Sequence, residues 1–439
     1  MELVFKKAKE AGFEACELYQ VENTTTNVET SHGEIEQHEI SGSNTMAFRG
    51  LYNGKIGYSY TQKYDEDSIL QLIADAKESA ILVENDDKEF IYCGGTTYAQ
   101  LNQYDNTIDT LGSDEVIDIV MGLDKMVADS MDDLKMVNSY FEAETVKVNI
   151  SNSHGLNLTH CNTKFMAYTM PIIPNGDELV NGFDYKINTA FNKLDMQQIV
   201  NCAIANTRRK LNCVSIPTGK YTVVLENLTM AQFLSCMRAG FFADKKQEGK
   251  SKLINSIEKQ IASTCVNIMD NPHLESSPAS KVFDDEGVAT YKKHIVENGI
   301  FKGFLYNLKT AAKDGVQTTG NASKAGVKAP IKIDTTNLYV DKGDMEFDEL
   351  ITKADNGILI TDLAGLHSGA NDVTGDFSLA ARGILIENGK LTKNVHQITV
   401  AGNFYEMLNN IIAVGNDLTF RAAMGSPSVL ISQLSIAGE

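Results

Sequence analysis

The chain has 439 residues, a formal net charge of −19, 43% hydrophobic and 22% charged residues, and seven cysteines. That length gives room for two or three domains and for an apolar core that needs neither disulfides nor structural metal. The acidic balance disfavours direct nucleic-acid contact, because it repels phosphate backbones. No stretch approaches the roughly 18 consecutive apolar residues of a membrane helix, and Met1–Lys7 has no secretory apolar segment, so a cytoplasmic chain with no membrane attachment is expected.

The first predicted element is a short amphipathic helix over 3–11, ending near Gly12. Residues 15–61 are rich in Thr, Val, Ile and Tyr and read as strands, with Asn53-Gly54 supplying a tight hairpin turn because both residues tolerate positive φ. A helix over 65–84 follows, its stripe formed by Ile69, Ile73, Ala76, Ala80 and Val83 and its first turn charged by Asp65, Glu66 and Asp67. Residues 85–112 read as a linker. A second helix over 114–131 aligns Val116, Ile119, Val120, Leu123 and Val127. Strands are expected at 135–151, 156–170 and 178–191, then a helix over 195–210 with Asp195 as N-cap. Arg208-Arg-Lys210 at its end complements the helix dipole.

Pro217 and Gly219 mark a change of texture. Tyr221–Leu225 reads as a strand and 228–242 as a mostly apolar helix. Beyond about residue 260, short strands alternate with turns, and Asn298-Gly299 and Asn388-Gly389 each sit between apolar runs as hairpin signals. The expected fold is α+β: N-terminal helix–sheet–helix units, then a mainly antiparallel β C-terminal domain with a few helices. The expected domains are 1–112, 113–217 and 218–439.

Familiar chemical signatures fail one by one. Gly315–Gly320 has phosphate-loop spacing, but Asn321-Ala322 follows where lysine and a hydroxyl are required. No GxGxxG follows a strand and no GxSxG elbow occurs. Cys16, Cys93, Cys161, Cys202, Cys213, Cys236 and Cys265 are scattered, which predicts reduced and mostly buried thiols and gives no clustered zinc ligands. His32, Glu34, Glu36 and His38 would share one face of a strand, either as ligands or, the preferred reading, as a solvated polar face. Asp284-Asp-Glu286, and Asp372 with Asp376, are expected to be exposed acidic turns.

Several C-terminal segments taken together resemble the TldD/PmbA family, whose older name is modulator of DNA gyrase. They are Phe283–Thr290, Thr319–Ala322, Gly375–Ser378, Ile384–Gly389, and the run from Ile398–Asn403 through Ala413–Asp417. The N-terminal helix–sheet–helix unit resembles that family's first domain. The resemblance implies a cytoplasmic complex in which a TldD-type zinc metallopeptidase, carrying His-Glu-x-x-x-His, works with a PmbA-type partner, also called TldE, on unfolded or modified peptides. Two imidazoles and a third ligand hold the zinc, and the glutamate takes the proton of the bound water.

In this chain the motif's positions fall on Ser235-Cys-Met-Arg-Ala-Gly240. Ser235 stands at the first histidine, Cys236 at the glutamate and Gly240 at the second histidine. No cysteine follows residue 265 to act as a late ligand. The expectation is therefore a PmbA/TldE-like, non-catalytic subunit, with no catalytic residue and no metal of its own. Zinc is expected in the TldD-type partner, and a peptide is expected to bind as an added strand. Alone, the chain would be able to form a symmetric homodimer. The alternatives are an autonomous peptidase with a site not seen in the sequence and a regulatory binding protein acting on DNA gyrase.

Overall fold

The computed structural model describes residues 2–84, 87–95 and 97–438. Residues 85, 86 and 96 of the expected linker lie outside the described residues.

The N-terminal half runs α1 (Glu2–Glu10), β1 (Ala15–Ser31), β2 (Glu34–Tyr52), β3 (Lys55–Thr61), α2 (Glu66–Ile81), α3 (Ser113–Ser130) and β4 (Met136–Asn152). It continues with β5 (Asn157–Asn175), β6 (Glu178–Asn181), β7 (Asp184–Asn188) and α4 (Met196–Arg208). The seven strands form one antiparallel sheet in the order β3-β2-β1-β4-β5-β6, with β7 also on β5. β1 and β4 pair from Glu17↔Asn152 to Ser31↔Asn138, so strands from either side of residue 112 share one sheet.

The helices cover this sheet where the sequence periodicity requires it. α2 buries Ile69, Leu72, Ile73, Ala76 and Ala80, and Asp65 caps it by accepting from the Ser68 amide at 3.0 Å. Gly57 of β3 lies directly under the Ala76 carbonyl, where any Cβ would collide with the helix backbone. α3 and α4 pack Val116, Val120, Leu123, Ile199 and Val200 against Phe141 and Phe165 of the sheet. Asp195 caps α4 as expected, and Arg208 at its end pairs with Asp133.

β3 covers β2 only from Met46 to Tyr52, which leaves residues 34–43 exposed on an unpaired outer edge. Glu34, Glu36 and His38 sit on this solvated arm, as preferred. His32 does not join them, because it occupies the preceding turn at φ 56°.

The C-terminal half begins with β8 (Gly219–Leu225), α5 (Asn227–Met237), α6 (Ala243–Gln247), β9 (Ile268–Asp270), β10 (Lys293–Glu297) and β11 (Ile300–Phe301). Then come α7 (Leu308–Asp314), β12 (Ala322–Ser323), β13 (Lys332–Ile333), β14 (Leu338–Val340) and α8 (Phe347–Ala354). It ends with β15 (Gly357–Ala364), α9 (Leu366–Gly369), β16 (Asp376–Glu387), β17 (Lys390–Asn403) and α10 (Phe404–Asn409). The last strands are β18 (Ile411–Val414), β19 (Thr419–Arg421), β20 (Met424–Ser426) and β21 (Val429–Ala437).

One sheet of this half runs β17-β16-β15-β8-β21-β18 and closes on itself, because β17 also pairs with β21 at Thr399↔Ala437 through Ala401↔Ser435. A second sheet runs β11-β10-β9-β14-β20-β19. Most pairings are antiparallel, but β8–β15 and β14–β20 are parallel. The two Asn-Gly signals form the β10–β11 and β16–β17 turns, with Asn298 at φ 49° and Asn388 at φ 52°. α5 lies between the two sheets. Its Phe233 stacks edge-on against Phe377 at 4.7 Å and Phe404 at 5.5 Å between ring centres.

Candidate functional site

The motif positions lie at the C-terminal end of α5 and in the 3-10 turn that continues it, Arg238–Phe241. Apolar residues set this placement. Met230, Phe233, Leu234 and Met237 are buried in the large C-terminal core, and they turn Leu228, Gln232, Ser235, Cys236 and Ala239 to the half-buried face. The Cys236 thiol donates to the Leu366 carbonyl at 3.4 Å. Burial pushes this thiol up, the charge of Asp372 pushes it further, and Arg238 opposes both. A thiol shifted in this direction is a weaker nucleophile than a free one.

Arg238 organises the turn. Its guanidinium forks onto Asp334 at 2.8 and 3.1 Å and reaches the Ser235 carbonyl at 2.7 Å. At Gly240, a Cβ would stand 2.5 Å from the Tyr405 hydroxyl, so that ring already occupies the space a larger residue would need. The Tyr405 phenol is pushed up to about 12, first by burial and then by Asp372. The three expected motif positions supply one hydroxyl and one thiol and no imidazole, with the Tyr405 phenol beside them. Zinc sites are built from clustered imidazole, thiolate and carboxylate ligands, and these residues do not fit one. Among the described residues no group of three His, Cys, Asp or Glu side chains is arranged to hold a metal ion.

The acidic segment Asp284-Asp-Glu286 is not an exposed turn. All three side chains are buried, Asp284 completely. The reason is a set of partners that lie far away in sequence. Arg49 bridges Glu286 at 3.2 Å and Glu17 at 3.3 Å, and Glu17 is itself fully buried. Glu286 accepts from the Leu308 amide at 2.8 Å, and Asp284 accepts from the amides of Glu286, Val288 and Ala322 at 2.9–3.0 Å. Asp285 takes Lys281 at 3.4 Å and the Lys324 amide at 2.7 Å.

The Lys324 ammonium makes no hydrogen bond among the described residues and lies over the rings of Tyr19 at 4.3 Å and Tyr58 at 5.0 Å. Burial brings this ammonium down to about 8, partly offset by Glu17. Burial and the charge of Glu286 push the Asp284 carboxyl up, to about 7. This cluster joins the N-terminal sheet to the C-terminal half. Its Arg49 and Glu286 edge lines a cleft of about 270 Å³ together with Tyr58, Glu89 and Lys309, while Asp284 is fully buried and spent on three backbone amides.

The remaining candidates are dispersed. Asp376 is exposed and tied to Asn403 at 2.9 Å, while Asp372 lies nearer the motif position. All seven cysteines are free, but only Cys16 is buried, and Cys93 and Cys265 are exposed. The expectation of mostly buried thiols is therefore corrected: Cys161, Cys202, Cys213 and Cys236 are half-buried.

The C-terminal 218–438 matches the model of the PmbA/TldA metallopeptidase C-terminal domain, and residues 16–80 match PmbA/TldA metallopeptidase domain 1. The Metalloprotease PmbA of Escherichia coli O157:H7 is 25% identical over 97% of this chain and 93% of its own. A Thermotoga maritima protein described as a modulator of a DNA gyrase has a similar structure, with 28% identity, a TM-score of 0.92 and 99% coverage of each chain. TldE of Thermococcus kodakarensis, at 21% identity and a TM-score of 0.91 over 100% of both chains, shares the fold.

Proposed function

Because the chain belongs to the PmbA/TldD metallopeptidase family, we propose that it is a PmbA/TldE-type, non-catalytic subunit of a two-chain peptidase of the cytoplasm. A TldD-type partner would bring the zinc, and the pair would act on unfolded or modified peptides. In this reading residues 218–439 form the pairing and groove-forming domain, and Ser235, Cys236 and Gly240 are the relict of the zinc motif.

The observation that carries the reading is the packing at the relict positions. Tyr405 fills the space beside Gly240, Arg238 is committed to Asp334, and the Cys236 thiol is committed to a carbonyl. A hydrolytic zinc site needs two imidazoles, a third ligand and a general base at once. Here those positions carry groups that stabilise the turn instead.

The test is co-expression with a TldD-type zinc chain. The two chains should purify together, cleave an unfolded peptide only as a pair, and lose that activity to EDTA. The chain alone should hold no stoichiometric zinc and leave the peptide intact. Stoichiometric zinc and EDTA-sensitive cleavage by the isolated chain would overturn the proposal.

A further inference from the structure

In a chain of net charge −19, one cleft of about 350 Å³ gathers Lys186, Arg209, Lys210, Arg382 and Arg421 against Asp184, Glu226 and Asp362. It lies where β7 and α4 meet the N-terminal end of α5 and the end of β15. Three of the cations are held by neighbours. Arg209 pairs with Glu226 at 2.9 Å, Arg421 pairs with Asp184, and Lys186 donates to Gln198.

Lys210 and Arg382 are different. Neither side chain makes an ion pair or hydrogen bond among the described residues, yet both line the same space. Burial lowers the Lys210 ammonium and the charge of Arg382 lowers it further, with Asp362 offsetting part of this. Two like charges facing one cavity raise the free energy of the empty cleft, and a bound anion would relieve it.

The shape of α5 indicates which anion. Leu228 and Gln232 line the cleft. Ser235 and Cys236 follow three and four residues after Gln232, on the same half-buried face of the helix. At ~1.5 Å per residue, eight helical residues separate Asn227 from Ser235 by about 12 Å. An extended chain covers that distance in roughly four residues. The cleft also carries an apolar wall, including the exposed ring of Phe183. Its three carboxylates disfavour a doubly charged phosphate and suit a single negative charge.

We propose that the C-terminal carboxylate of an extended peptide binds in this cleft between Lys210 and Arg382, with the preceding residues lying along α5 towards Ser235 and Cys236. The choice of a peptide rests on the peptide-handling function proposed above; the choice of a carboxylate rests on the cleft. A guanidinium holds a carboxylate through two parallel hydrogen bonds, and the ammonium adds a point charge beside it.

The test uses the full chain and two labelled peptides of one sequence, one ending in a free acid and one in an amide, followed by fluorescence anisotropy. The acid should bind on the order of tenfold more tightly than the amide, and that preference should vanish in the variant carrying Lys210→Met and Arg382→Gln. Arg382→Lys should keep part of it. Far-UV circular dichroism on each variant separates lost binding from lost folding. Inorganic phosphate at equal concentration should not displace the acid peptide. Equal binding of acid and amide, binding of neither, or full displacement by phosphate would each overturn the proposal. Failure of partner-dependent cleavage would remove the subunit reading and leave an observed acid preference intact; a missing preference would remove this site and leave the subunit reading standing.

Discussion

The two acidic or polar regions that look most like active sites differ in where their charges go. At the junction of the two halves, Glu17, Arg49, Asp284, Glu286 and Lys324 are drawn into low-dielectric surroundings, with Arg49 shared between two carboxylates. At the end of α5, the charged groups are half-exposed and the buried groups are neutral. Buried charge in this molecule holds two regions of chain together, while the end of α5 is packed with a glycine, a phenol and a thiol. At this joint burial moves the Asp284 carboxyl up and the Lys324 ammonium down.

Removing one partner of the joint should have the largest effect. Arg49→Met leaves Glu17 and Glu286 facing each other without a cation, and should cost about 3–5 kcal/mol in urea unfolding. A cost equal to that of an exposed pair would erase the contrast between the two regions.

Steric restoration of the motif comes next. Gly240→His places a side chain on the Tyr405 hydroxyl and should destabilise the chain by about 1–3 kcal/mol. Combined with Ser235→His and Cys236→Glu, it should still bind no zinc in equilibrium dialysis unless Tyr405→Ala is added.

The pH dependence has a definite sign. The Asp284 carboxyl titrates near 7 when folded and near its ordinary value when unfolded, so the folded state binds the extra proton. Its contribution to stability is full below about pH 4 and is lost as pH rises towards 7. Unfolding of the parent followed across that window should show this fall, and Asp284→Asn should flatten it.

The smallest effect should come from Arg238→Met. Its pair with Asp334 is about one-third exposed on both sides, so the loss should stay within about 1 kcal/mol. A loss approaching that of Arg49→Met would mean that the relict turn is as charge-dependent as the joint.

Much of the architecture was legible from local rules. Asp65 and Asp195 cap the helices expected of them, the apolar stripes of α2, α3 and α4 face the sheet, and the Asn-Gly pairs make their turns. What escaped was long-range. Nothing near Asp284 announces Arg49, which lies more than 200 residues earlier and decides that the acidic run is buried. His32 was assigned to a strand because alternation cannot distinguish the last strand residue from the first turn residue; its positive φ appears only in the hairpin. The parallel β8–β15 pairing was also invisible, because a short apolar run does not encode the direction of its neighbour. The cationic cleft brings together residues from 182 to 421, each of them unremarkable alone.

The closed ring also sets a timetable for folding. β8 lies between β15 and β21, and β17 reaches β21 as well, so the strands made first wait for residues 429–437. Until that segment leaves the ribosome, β8 and β17 each present an open, apolar edge, and closure requires contacts across about 200 residues of chain. From the completion of β8 at Leu225 until Val429 is made, the β8 edge is open to chaperones and to strand-swapped association, and a truncation before Val429 would make the exposure permanent.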